Sequence, residues 1–197
     1  MMLVEETQVP DAALPVNALK DHLLLGSGFT EADLQDPVLV SFLRAALAAI
    51  EGRTSKALIA RGFLMTLDDW TSPEGQRLPV TPVQSITEVT LVDAYGAATT
   101  VDPAAYRLKK DAFDPKLRPM ATYLPNVPSG GSVEVRFDAG YGATFDAVPE
   151  DLKQAVLMLA AHYYEYRSDT ALSQGCMPFG VTSLIARYRP VRMGLGA

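Results

Sequence analysis

Hydrophobic residues recur at helical spacing in the first quarter of the chain. Leu19 and Leu23 lie four positions apart, which predicts a short helix over residues 15–25. Further along, apolar residues follow a single stripe at intervals of four, three and four: Leu39, Leu43, Ala46 and Ile50. Asp36 and Pro37 are typical of a helix start, so the pattern predicts a second helix from there to about residue 58.

The period changes to two after residue 60. Three segments alternate in the manner of β-strands, and one face of each is formed by Phe63, Met65 and Leu67, by Val89 and Leu91, and by Val133, Val135 and Phe137. Four prolines between residues 113 and 131 predict that this stretch has no regular structure. Residues 61–145 are therefore predicted to form a small antiparallel β unit inserted between helices.

The most apolar helix is predicted near the C-terminus, over residues 149–167. Pro149 followed by two acidic residues is typical of a helix N-terminus. Apolar and aromatic side chains then recur at intervals of four and three: Leu152, Val156, Leu159, Tyr163 and Tyr166. Because the other faces are apolar as well, we predict that this seam packs in the core or against another subunit. A shorter helix is predicted over residues 181–188.

Together these elements predict an α+β fold, with a helical core of about four helices that carries a small antiparallel β insertion. The length of 197 residues fits a single domain. We expect the helical core over residues 15–60 and 148–190, and the β insertion over about residues 61–145.

Composition restricts the possible classes of function. Hydrophobic residues make up 48% of the chain and charged residues 20%, as in a folded globular protein. The net charge of −6 argues against a protein that grips DNA over its whole surface, so any contact with nucleic acid has to be local. The N-terminus lacks the features of a signal peptide, and no apolar run approaches the ~20 residues of a membrane span. We therefore expect a protein made in the cytoplasm that has no membrane contact.

Residue types that carry catalysis or bind metals are scarce. His162 and Glu165 share a helix face, but the other histidine, His22, belongs to a different predicted helix, so a site with three or four ligands lacks donors. We expect no catalytic residue, no metal and no cofactor, and we interpret His162 as a structural side chain that is hydrogen-bonded in the helix layer. A small metal-dependent enzyme built around His162 and Glu165 is the alternative. The single cysteine, Cys176, has no nearby histidine in the sequence to activate it.

The C-terminal tail combines positive charge with an aromatic side chain. Arg187, Arg189 and Arg192 lie close together in an otherwise acidic chain, with Tyr188 between them. Arginine and tyrosine are enriched at binding hot spots. The tail has few apolar residues that could anchor it, so we predict that it is mobile in the free protein and binds a partner.

Six short motifs occur in order along the chain. They are Lys20-Asp21-His22-Leu23, Thr54-Ser55-Lys56-Ala57-Leu58, Pro82-Val83-Gln84-Ser85-Ile86, Phe137-Asp138-Ala139-Gly140-Tyr141-Gly142, Val148-Pro149-Glu150-Asp151-Leu152 and Pro178-Phe179-Gly180-Val181. In order and spacing they resemble the head–tail connector proteins (adaptor or head-completion proteins) of long-tailed phages and gene transfer agents, over about residues 15–189. Ser55 stands where that family usually has glycine.

The resemblance implies a structural role without catalysis. It implies a dodecameric ring docked beneath the portal protein, in contact with other neck or tail proteins, in the neck of a phage or phage-like particle. DNA would pass through this ring without sequence-specific binding. By position, the resemblance assigns portal binding to residues 181–192, which include Leu184, Arg187, Tyr188, Arg189 and Arg192, and packing within the ring to the helix over residues 149–167.

Two further interpretations stay open at this point. The first is another neck component, such as a stopper or a tail terminator, which portal binding would distinguish from an adaptor. The second is a regulator that binds nucleic acid, which predicts a DNA affinity that falls steeply with salt.

Overall fold

The computed structural model describes residues 1–24, 35–167 and 177–190. The chain forms two compact units, each built from two separate stretches of sequence. Met1–Val9 and Ile59–Ala143 form the first, here called the β unit, and Pro10–Leu58 and Thr144–Ala197 form the second, here called the helical unit. The N-terminal residues belong to the β unit, which the hydrophobic pattern did not predict.

Four α-helices lie in the described part of the helical unit, as the sequence predicted. They are α1 Val16–His22, α2 Asp36–Thr54, α3 Glu150–Glu165 and α4 Phe179–Ile185. Helix α3 packs against the other three, and α1 also contacts α2. Three neighbours within the same unit therefore account for the apolar character of α3 on most sides. None of the helices in the described segments has the length and apolar character that a bilayer-spanning helix needs.

Helix α2 ends at Thr54, four residues before the predicted end. The Thr54 hydroxyl donates a hydrogen bond to the Ile50 carbonyl oxygen at 2.8 Å. Ser55 follows in the left-handed conformation, with φ 55° and ψ 29°, and its backbone N–H donates to the Glu51 carbonyl oxygen. Serine thus adopts the backbone conformation that glycine takes most readily, at a cost of about 1 kcal/mol. The Glu51 side chain accepts a hydrogen bond from the Leu58 N–H at 2.7 Å, which fixes the chain beyond this turn.

The β unit contains two antiparallel sheets. The larger is formed by β1 Met2–Glu5, β2 Arg61–Leu67, β4 Val83–Val92, β5 Ala98–Thr100 and β8 Ser132–Ala139, and the smaller by β3 Gln76–Arg77, β6 Tyr106–Lys109 and β7 Lys116–Pro119. The larger sheet has the strand order β1-β2-β8-β4-β5, and the smaller has the order β3-β7-β6. The β portion is thus a substantial unit, and the prediction of a small insertion is wrong in that respect.

Strands β2 and β8 confirm the predicted alternation. Phe63 pairs with Phe137 across the two strands, and Met65 pairs with Val135. All four side chains are buried, and the two phenylalanine rings stack with their centroids 5.6 Å apart. The part of the core formed by β2 and β8 therefore follows from the sequence pattern.

The turn that follows β8 depends on Gly140. This residue has φ 137°, and a Cβ atom there would lie 2.3 Å from the Ala60 Cα. Its N–H donates to the Pro82 carbonyl oxygen at 2.9 Å, and its own carbonyl accepts a hydrogen bond from the Gln84 amide at 2.6 Å. No side chain fits this close approach of backbones, which gives the motif around Gly140 a structural reason.

The prediction that residues 113–131 have no regular structure is wrong for Lys116–Pro119, which form β7. Pro119 is the last residue of this strand and Pro115 precedes it, so neither proline interrupts the ladder. Leu117 is the one fully buried side chain of β7. A strand of four residues with a single buried position has no periodicity from which to predict it.

Candidate partner interface

Helix α4 positions the residues predicted to bind a partner. Val181 and Ile185 are fully buried where α4 packs against α3, and Leu184 is half-buried. A Cβ atom on Gly180 would lie 2.8 Å from the Met158 methyl carbon, so the start of α4 lies tightly on α3. The segment over residues 181–185 is therefore part of the core of the helical unit.

Asp151, in the first turn of α3, holds the segment that follows α4. The Tyr188 hydroxyl donates to Asp151 Oδ1 at 2.7 Å, and Arg187 Nη2 lies 2.6 Å from Asp151 Oδ2. Arg187 also donates to the Tyr188 hydroxyl oxygen at 2.6 Å. Arg187 and Tyr188 are thus bound to a carboxylate of the helical unit, whereas the sequence predicted that the whole tail is free of such contacts.

The environment of Tyr188 changes its titration. Burial raises the pKa of the Tyr188 phenol above its usual range, and the hydrogen bond to Asp151 raises it further, while Arg187 acts in the opposite direction. The neutral phenol is therefore the form that the folded protein favours. Only this form can donate a hydrogen bond to Asp151.

Two residues of the predicted partner-binding set follow Tyr188, namely Arg189 and Arg192. Arg189 is exposed, and no ion pair involves it within the described segments. Arg192 lies outside the described residues. Among the predicted cations that the structure describes, Arg189 is therefore the one without an ion pair in the described segments.

Phe179 is a candidate that the sequence pattern did not indicate. It is the first residue of α4, and 87% of it is exposed. Phe179 belongs to one of the motifs that carry the family resemblance, but its physical role was not evident from the sequence. An exposed phenylalanine on a helix that is otherwise anchored by its buried face is typical of a contact with a partner.

The predicted seam on α3 divides into two parts. Leu152, Val156 and Leu159 are fully buried inside the helical unit. Tyr163 is half-buried, and Tyr166, just after the end of α3, is 48% exposed. The first three residues are core in this structure, and the C-terminal end of the seam is the part that stays available to another subunit.

His162 lies among aromatic rings. Its ring centroid is 4.7 Å from that of Tyr166, and its Nε2 atom is buried with no hydrogen-bond partner in the described segments. The hydrogen bond predicted for this side chain is therefore not found at Nε2. Within residues 1–24, 35–167 and 177–190, no group of three or more metal-ligating side chains occurs. Cys176 lies outside the described residues.

Solved structures of gene transfer agent (GTA) particles contain similar chains. No protein-family model matches the chain, and no curated protein matches it either. A chain in the neck of the empty GTA particle with C6 symmetry is 50% identical, with a TM-score of 0.91, and the match covers 100% of this chain and 99% of that one.

Two further structures give the same result. A chain in the virion of the native GTA particle is 50% identical with a TM-score of 0.88, and one in the neck of the native particle with C12 symmetry is 48% identical with a TM-score of 0.86. Each match covers 100% of this chain and 99% of the other. With about half of its residues identical over its whole length, the chain belongs to a family of neck proteins of gene transfer agent particles.

Proposed function

We propose that the protein is a head–tail adaptor, a structural component that forms a ring beneath the portal and part of the DNA conduit in the neck of a GTA-like particle. The observation that supports this most is the full-length similarity to chains in the neck of GTA particles. The order of the six connector-like motifs favours the adaptor among the neck components.

In this proposal the ring contains twelve copies, in line with the C12 symmetry of one related neck structure. A closed ring requires that each copy present two different surfaces to its neighbours. The helical unit offers exposed aromatic side chains for such contacts at Tyr166 and Phe179. We assign both residues to contacts between copies.

The C-terminal arm, defined here as residues 189–197, docks on the portal. Asp151 holds Arg187 and Tyr188, the residues just before the arm, so the position at which the arm begins is set. Arg189 begins the arm, and Arg192 belongs to it. Arginine favours bidentate pairs with carboxylates, which suggests an acidic groove on the portal as the receptor.

Binding to the purified portal protein tests the adaptor assignment. Deletion of residues 189–197 is expected to leave the circular dichroism spectrum and the melting temperature unchanged and to abolish capture by the portal. Arg189→Glu should weaken portal binding about tenfold. Arg53→Glu serves as the control, since Arg53 is also an exposed arginine and lies on α2. Undiminished portal binding by the deletion variant would contradict the role of the arm. Binding to other neck or tail proteins but not to the portal would indicate a stopper or tail terminator.

Incorporation into particles tests the ring contacts. Phe179→Ala should leave the melting temperature unchanged, because the side chain is exposed, and should lower the occupancy of the neck in electron micrographs. Val38→Ala is the control, since Val38 is an exposed apolar residue of α2 that the proposal does not use. Equal occupancy for the two variants would remove Phe179 from the interface.

A further inference from the structure

The smaller sheet of the β unit has a strongly basic face. Across its strands, Arg107 lies opposite Arg118. Lys109 lies opposite Lys116, and Arg77 of β3 lies opposite Lys116 on the other side of β7. We call these five residues the basic face. The chain has only seventeen Lys and Arg residues and a net charge of −6, so such a concentration of positive charge is not a consequence of composition.

The pleat of the strands places these cations together. Residues two apart on a strand, and residues directly opposite on neighbouring strands, point to the same side of a sheet. Leu117, between Lys116 and Arg118, is buried, and so is Tyr106, which precedes Arg107, so these two side chains point to the other side of the sheet. The basic face is therefore the solvent side of the smaller sheet.

The charges of the basic face are only partly neutralised within the chain. Asp114 pairs with Arg77 at 3.0 Å and with Lys116 at 2.8 Å. Arg107, Lys109 and Arg118 have no ion pair with any of the described residues. Like charges directly opposite each other destabilise a sheet. These three cations therefore do not stabilise the sheet. Binding to an anionic partner would offset their repulsion.

One end of the basic face borders an open concavity. Arg107 and Arg118 line it together with Glu74, Met120 and Tyr123. Tyr123 and Met120 are each 60% exposed, and the Arg118 Nε atom is buried without a hydrogen-bond acceptor in the described segments. Unpaired guanidinium groups beside an exposed aromatic ring suit phosphate groups and the sugars and bases attached to them.

We propose that the basic face binds the sugar–phosphate backbone of DNA without sequence preference. In a regular sheet, positions two apart on a strand are spaced by about 6.7 Å and neighbouring strands by about 4.8 Å, and cations at such positions suit a polymer with evenly repeated negative charges. A stable protein–protein interface needs an apolar centre, and the side chains of the basic face are all charged. An acidic protein surface is therefore the less suitable partner.

The source of the DNA, but not its binding, depends on the adaptor assignment. If the protein forms part of the neck conduit, the DNA is that which passes through the particle. An acidic chain with a local basic face would hold such DNA weakly and in a salt-dependent manner, which permits it to slide. Binding itself is measurable on the purified protein, without portal or particle.

Fluorescence anisotropy with a short labelled duplex of random sequence, at a series of NaCl concentrations, tests this proposal. The logarithm of the association constant should fall with the logarithm of the salt concentration with a slope of about −2 to −3, as expected for three unpaired cations. The double variant Arg107→Gln/Lys109→Gln should bind about tenfold more weakly at low salt and have a slope smaller by about 2. Both side chains are exposed, so the fold should be retained, as circular dichroism would verify.

The control is Arg53→Gln/Arg167→Gln, which changes the net charge equally at two exposed arginines of the helical unit. This control should bind the duplex within about twofold of the parent. Equal loss in both double variants, no binding of the parent at low salt, or equally tight binding of a polyglutamate peptide would each overturn the proposal. Portal capture by Arg107→Gln/Lys109→Gln should be normal, so failure of DNA binding and failure of the adaptor assignment give different results.

Discussion

In the helical unit, Arg187 lies 2.6 Å from a carboxylate oxygen of Asp151 and donates to the Tyr188 hydroxyl. In the β unit, Arg107 instead faces Arg118 across two strands, with no carboxylate partner in the described segments. The first arrangement stabilises the fold, and the second opposes it. An ion pair within the chain gives a charged residue a role in the fold. A group of like charges without such pairs has no role of that kind, and we propose that it binds a partner outside the chain.

The contacts of Arg187 also divide the predicted C-terminal tail into two parts. The sequence places Arg187 and Arg189 in one basic tail, but the structure gives Arg187 and Tyr188 an internal role. Arg189, the first residue of the arm, is exposed and has no ion pair with the described residues. Substitutions of Arg187 in the helical unit and of Arg107 in the β unit should therefore change the free energy of unfolding in opposite directions.

The largest expected effect comes from removing α4. Deletion of residues 179–197 removes Val181 and Ile185 from the core, and buried aliphatic side chains contribute about 2–5 kcal/mol each. We expect the helical unit to lose its cooperative melting transition, as measured by circular dichroism, while deletion of residues 189–197 leaves that transition unchanged. A variant without residues 179–197 that melts like the parent would show that α4 is not part of the core.

Tyr188→Phe removes the hydroxyl that donates to Asp151 and accepts from Arg187. We expect a loss of about 1 kcal/mol in the free energy of unfolding, measured by urea denaturation near neutral pH. Phe179→Ala, at an exposed position on the same segment, is the control and should change the free energy of unfolding by less than about 0.5 kcal/mol. Equal effects for the two variants would mean that the hydrogen bonds of Tyr188 do not contribute to stability.

The contribution of Tyr188 should disappear at alkaline pH. Its pKa is raised in the folded protein, so the associated stability is fully present below the ordinary tyrosine pKa of about 10 and is lost as the pH rises through the folded value. The difference between the parent and Tyr188→Phe should therefore shrink above pH ~10. Burial also raises the pKa of Tyr106, so Tyr188→Phe should retain part of the alkaline loss of stability, and the further variant Tyr106→Phe should remove it.

Arg136 provides a paired arginine in the β unit itself. It lies 3.1 Å from Glu6, 3.2 Å from Glu88 and 3.3 Å from Glu134. Arg136→Gln leaves three carboxylates without their shared cation, and because the group is partly exposed we expect a loss of only about 0.5–1 kcal/mol. The loss measured by urea denaturation should decrease at high salt, and a loss that does not depend on salt would contradict an electrostatic origin.

The smallest expected effect has the opposite sign. Arg107→Gln relieves the repulsion with Arg118 and should raise the free energy of unfolding by about 0.2–0.5 kcal/mol at low salt. The same substitution should weaken DNA binding. Arg187→Gln, at the paired arginine, should instead lower stability by up to about 0.5 kcal/mol. Destabilisation by Arg107→Gln would mean that Arg107 itself has a stabilising partner within the chain.

Much of the fold was predictable because the signals are local. The stripe from Leu39 to Ile50 predicts α2, and the alternation of Val133, Val135 and Phe137 predicts β8, since a period in the sequence places side chains on one side of a helix or strand. The scarcity of metal ligands and the acidic net charge likewise follow from composition alone. The family resemblance rests on short motifs such as that around Gly140, where backbone approach restricts the residue.

Only the tertiary structure decided which charges are satisfied. Asp151 and Tyr188 are 37 positions apart, and Arg107 meets Arg118 only because β6 and β7 pair in one particular register. Strand pairing and helix packing bring these groups together. The local period of hydrophobic residues does not show which strands pair or which helices pack. The sequence by itself therefore determined the helices, the long strands and the general character of the protein. The tertiary structure alone determined which arginines are used within the fold and which are left for a partner, because Coulombic energy depends on distance in space and not on distance along the chain.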